Sequence, residues 1–104
     1  MKYLVTWKAL PVPPQMVKAA LTMLEATKQY IENMKKEGFI GVIYSLAEGR
    51  GGVAIGEAKS GDDLLRKLME NPYAPFLEYS VTLLADHNIA MEFSARQLRM
   101  LAGE

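Results

Sequence analysis

The chain has 104 residues, half of them apolar and 23% charged, with 12 Lys and Arg against 12 Asp and Glu, one His, one Trp and no Cys. This length suits one domain, residues 1–104, able to hide roughly two-thirds of its unfolded surface without disulfide or zinc staples, and the lack of Cys excludes thiol catalysis and iron–sulfur chemistry. Balanced charge gives no general grip on nucleic acid or an anionic membrane, and no stretch reaches the roughly 18 apolar residues of a membrane span, so neither is an expected partner and a cytoplasmic location is expected.

Lys2 to Leu10, KYLVTWKAL, is rich in aromatic and branched residues and stops at Pro11, Pro13 and Pro14, which predicts a strand and a turn. From Pro14 the apolar positions recur at threes, fours and a seven through Val17, Leu21, Leu24, Ile31 and Met34, predicting a helix over 14–37. Lys35, Lys36 and Gly38 supply the positive charge and left-handed residue that close it. Phe39 to Ala47 and Val53 to Lys59 read as two strands joined by a glycine-rich turn. Ser60 caps a second helix, Asp62 and Asp63 suit its first turn, and Asn71-Pro72 stops it. Phe76 to Leu84 reads as a fourth strand. The C-terminal extension, 88–104, has too weak a period between Ala90 and Leu101 to separate a short helix from an extended arm.

The order β-α-β-β-α-β predicts a ferredoxin-like α+β fold, both helices on one face of a four-stranded antiparallel sheet. In the first two predicted strands neither parity is cleanly polar. The sheet face away from the helices is therefore expected to be covered by another copy of the chain, in a homodimer or higher homo-oligomer.

Several segments carry a family resemblance: Lys36-Glu37-Gly38, the turn with Gly49-Arg50, the run from Lys59 to Phe76, and Pro72-Tyr73-Ala74-Pro75-Phe76-Leu77-Glu78 followed by Val81-Thr82, Leu84-Ala85 and His87. Over about the last two-thirds of its length the chain resembles the muconolactone isomerase family of the dimeric α+β-barrel superfamily. The resemblance implies a cofactor-free isomerase that shifts a proton in a small lactone or carbonyl compound. It matches His87 and Glu78 to polar family positions and Gly49-Arg50 to a Gly-Arg turn. The chain departs from the family in the second strand, where Ile40, Val42 and Ser45 stand in place of bulky aromatic, His and Arg side chains, so a more apolar pocket is expected.

Read as residues, His87 is the natural acid/base, or else it closes a strand end through a hydrogen bond. Glu57 lies among apolar neighbours, a base if burial raises its pKa and a solvated edge carboxylate otherwise. Arg50 offers a planar fork for a substrate carboxylate, or is a solvated turn residue. Tyr44, Trp7 and Tyr79, with Tyr3, are candidates to line a cavity for a small apolar or aromatic-derived molecule, though core packing explains them too. One His and no Cys argue against a metal site, and no cofactor is expected. Gly49-x-Gly51-Gly52 opens no helix and lacks Lys-Ser/Thr, so it is not a phosphate loop. Three functions stay open at this point: an isomerase using His87 or Glu57, a non-catalytic binder of a small hydrophobic molecule, and an oligomeric scaffold.

Overall fold

The computed structural model describes residues 1–104. The chain forms β1 (Lys2–Ala9), a 3₁₀ turn (Pro14–Met16), α1 (Val17–Lys36), β2 (Val42–Ser45), β3 (Gly51–Glu57), α2 (Gly61–Met69), a second 3₁₀ turn (Ala74–Phe76), β4 (Leu77–Leu83) and α3 (His87–Leu101). The sheet runs β2-β3-β1-β4 with every neighbour antiparallel, the ferredoxin-like order expected.

Register explains how one face makes room for helices and a pocket. Tyr3, Val5 and Trp7 of β1 face Gly56, Ala54 and Gly52 of β3. Each large side chain thus stands beside a small one. Tyr3 and Val5 enter a core with Met34 of α1, Phe39 and Ile40 of the following connection, Ala58, and Leu64 and Leu68 of α2. Burial of these side chains, at about 25 cal/mol per Å², is the main term that holds both helices to the sheet.

The opposite face splits in two. Across the strands, Val42, Ile55 and Leu4 lead to Thr82, and Tyr44 and Val53 lead to Thr6 and Ser80. The β2–β3 half is apolar, with Val42 and Tyr44 exposed, and the β1–β4 half is largely polar.

The second strand is shorter than the predicted 39–47. Phe39 and Ile40 are buried in the connection instead, because their backbone is bound elsewhere: the Tyr3 hydroxyl donates to the Phe39 carbonyl, and the Ile40 N–H donates to Met34 O at 3.1 Å. An apolar plug and an apolar strand look alike in sequence. The third strand starts earlier than Val53, at Gly51, since the two glycines pair with Trp7 and Lys8 rather than forming the turn. α1 is preceded by a 3₁₀ turn at Pro14, and Gly38 takes φ +80° after its end.

The C-terminal extension is a helix, started by Asp86, whose carboxylate accepts from the Asn88 and Ile89 N–H groups at 2.9 and 3.2 Å. No residue of α3 is buried, and the molecule measures 65 × 27 × 24 Å. No helix is long and apolar enough to cross a membrane.

Candidate functional site

A pocket of about 350 Å³ opens between the helix side of the sheet and α1. Its walls come from β1 (Tyr3, Val5, Trp7), α1 (Leu24, Thr27, Tyr30, Ile31), the plug residues Phe39 and Ile40, and β4 (Leu77, Tyr79). The small residues of β3 create this space. A β-carbon on Gly52 would overlap the Trp7 ring, so glycine there lets the indole lie against the strand and form the wall.

Within these apolar walls sits one polar cluster. Asn71, buried just past α2, accepts from the Tyr73 backbone N–H at 3.0 Å through Oδ1. A backbone N–H only donates, so this contact sets the amide orientation and turns Nδ2 towards Tyr79, whose phenol oxygen accepts at 3.0 Å. The Thr27 hydroxyl lies 2.9 Å from Asn71 Oδ1 and 3.0 Å from Met23 O, its single proton serving one at a time. The phenol proton of Tyr79 is left without an acceptor in the chain. Burial pushes the Tyr79 pKa up, with the Asn71 hydrogen bond opposing, so the group stays protonated at neutral pH.

Two of the other pocket phenols are already engaged. Tyr30 donates to Lys67 O at 2.6 Å and Tyr3 to Phe39 O, and burial raises the pKa of both. Tyr79 and Tyr73 keep their phenol protons for a ligand, and of these two Tyr79 is the one whose oxygen is held by a side chain, Asn71 Nδ2. Arg50 adds a charge. Its carbonyl accepts from the Ala9 N–H at 2.7 Å, tying the turn to the end of β1, while its guanidinium has no carboxylate partner in the chain.

Of the candidates read from sequence, Arg50, Trp7 and Tyr79 line this pocket. Tyr44 does not; it is 67% exposed on the other sheet face, where its pairing with Val53 places it. Glu57 ends β3 beside Lys2, and His87 heads α3 four residues after β4; both are exposed and neither lines the pocket. They sit at the Lys2 end of β1 and Arg50 at the Ala9 end, seven residues of strand or roughly 20 Å away. No three carboxylate, imidazole or thiol groups converge anywhere.

Asn71, Thr27 and Tyr30 were not singled out by sequence reasoning. Asn71 before Pro72 reads simply as a helix stop. Thr27 left a usable signal, a hydroxyl between Leu24 and Ile31 on the apolar face of α1.

The family model of muconolactone delta-isomerase matches residues 1–90. Among solved structures, the crystal structure of muconolactone isomerase is similar with a TM-score of 0.72 and 26% identity, over 84% of this chain and 91% of that one. A 5-chloro-2-hydroxyhydroquinone dehydrochlorinase from Burkholderia phenoliruptrix AC1100, in complex with 2,5-dihydroxybenzoquinone, is similar with a TM-score of 0.57 and 18% identity, over 85% of this chain and 97% of that one. At that identity the second likeness is one of fold. No curated protein sequence matches the chain. Its sheet order agrees with the match over residues 1–90, and the chain belongs to the muconolactone delta-isomerase family.

Proposed function

We propose that this protein binds a small anionic carbonyl compound, with Arg50 pairing the anionic group and the Tyr79 phenol donating to the carbonyl oxygen. The unspent Tyr79 proton carries this reading, because Asn71 holds the phenol oxygen as an acceptor and directs its donor capacity elsewhere. The pocket volume lies at the lower end of ligand-site sizes and suits one small ring. The apolar walls exclude water around that ring and strengthen both polar contacts.

Family membership favours a second reading, turnover of such a ligand by moving a proton next to its carbonyl. Tyr79 then stabilises the oxygen on which negative charge develops. A proton shift also needs a base, and no carboxylate or imidazole lines the pocket of one chain. In this reading the base is His87 or Glu57 brought from a neighbouring copy.

Calorimetric titration with muconolactone tests the binding reading. Saturable binding is expected, weakened at least about tenfold by Arg50→Ala, the loss of a charge-assisted hydrogen bond, and about fivefold by Tyr79→Phe, the loss of a neutral one. Undetectable binding, or binding indifferent to both substitutions, overturns it. Deuterium incorporation at the carbon beside the carbonyl, followed by NMR, tests turnover separately. That incorporation should vanish in the His87→Ala, Glu57→Gln double variant.

A further inference from the structure

Trp7 is the chain's single tryptophan, and the hydrophobic core does not use it. Its register partners on the helix side of the sheet are Gly52 on β3 and Tyr79 on β4, and Ser45 lies beyond Gly52 on β2. Two atoms of its six-membered ring, Cζ2 and Cη2, lie 2.2 and 2.4 Å from where a β-carbon of Gly52 would sit. The indole is thus laid over towards β3, low on the sheet, and with glycine and serine in that row no large side chain stands beside it there. The ring is half-buried. Its N–H donates to no group of the chain, yet it is not sealed off, since no buried polar side-chain atom lacks a partner. A large ring left outside the core, laid against a strand and beside a glycine, is a floor rather than a plug.

The strand order β2-β3-β1-β4 also sets Trp7 between the two polar contacts of the proposed site. Arg50 stands one residue before β3 and Tyr79 lies on β4, so their backbones are two strand spacings or about 10 Å apart, with β1 in the middle. A ligand that reaches both must cross the indole. Resting on that reading of the site, we propose that Trp7 is a specificity-determining residue on which the ligand's ring stacks. The ligand class it selects is a flat aromatic acid with a carbonyl substituent opposite the carboxylate. An offset pair of aromatic faces gains more than the area it buries, whereas a puckered saturated ring meets the indole only through its outermost hydrogens. A benzene ring also holds two opposite substituents rigidly apart, which suits a guanidinium on one side of Trp7 and a phenol on the other. Leu24 and Ile31 of α1 supply the apolar wall facing this floor.

Calorimetric titration with 4-acetylbenzoate and with trans-4-acetylcyclohexanecarboxylate tests this, because the two compounds share their polar groups and differ in the flatness of the ring. Wild type is expected to bind the aromatic compound about fivefold more tightly. Trp7→Leu should bring that ratio close to one, while Trp7→Phe keeps most of it. Comparing ratios between variants cancels the difference in hydration of the two rings. Arg50→Ala should weaken both compounds and leave their ratio unchanged. Because the chain has one tryptophan, its emission should be quenched by 4-acetylbenzoate along the calorimetric saturation curve, a readout on wild type should the Leu variant misfold. Equal affinities in wild type, a ratio untouched by Trp7→Leu, or emission unchanged at saturation overturns the proposal. Binding of muconolactone but of neither acetyl compound overturns the stacking assignment alone. Failure of all three ligands overturns the binding reading beneath it as well.

Discussion

Gly56 stands across from Tyr3 on the helix side of the sheet, where a β-carbon would overlap the carbonyl oxygen of Phe39. That oxygen also accepts from the Tyr3 hydroxyl, and the two rings lie 5.0 Å apart. Strand, plug and core therefore meet at one backbone group, and the obstacle is main chain rather than a flexible side chain. Gly56→Ala is expected to destabilise the protein by about 3 kcal/mol or more in urea denaturation, at the upper end of overpacking costs. A loss under 1 kcal/mol would show that the 39–41 segment shifts freely. Single residues were the least legible scale in sequence. Trp7, Tyr79 and Arg50 were identifiable by type, since aromatic and guanidinium groups announce their chemistry. Asn71 was not, because its orienting role depends on Tyr73 and Tyr79 arriving from beyond a proline turn. Tyr44 and Trp7 both look like pocket aromatics, and only the register separates their faces.

Elements were easier to read, because period and caps are local. α2 shows why. Ser60 accepts from the Asp63 N–H at 3.1 Å, and the Asp63 carboxylate reaches back to the Lys59 N–H at 3.2 Å while pairing with Arg66 at 2.8 Å and Lys67 at 3.5 Å. The Arg66 hydrogen bond, then the Lys59 N–H, hold the Asp63 pKa below its ordinary value against the opposing effect of burial. A lowered folded-state pKa contributes stability that is fully present above the unfolded value, near 4, and is lost as pH falls through the folded one. Asp63→Asn should therefore melt at a lower temperature than wild type at pH 7, and the gap should close as acid protonates Asp63. A gap constant down to pH 2 would mean that the carboxylate charge contributes nothing to the cap. β2 is shorter than the predicted strand because the apolar run 39–47 serves two purposes, plug and strand, and composition does not mark where one gives way to the other. α3 is only partly legible for a related reason. Apolar residues on two sides blur the helical period, and Asp86, its cap, precedes no clear apolar stripe.

At the scale of the molecule, topology followed from element order, whereas the pocket needed three dimensions. Its walls draw on β1, α1, the plug, the Asn71 turn and β4, so the site exists only when the whole domain is assembled. A ligand that fills it binds the folded state alone, and linkage then makes stability a readout of occupancy. At 100 times its dissociation constant, muconolactone should add about 2.7 kcal/mol to the unfolding free energy, raising Tm by roughly 10–20 °C for a chain of this size. Two substitutions localise the effect. Tyr79→Phe should reduce the increment at fixed ligand concentration, because the proposed donor to the carbonyl is gone. Tyr44→Ser should leave it intact, because Tyr44 lies on the other sheet face. A Tyr44→Ser variant that loses the increment would place the ligand against the outer sheet face and move the binding site out of the cavity beneath α1.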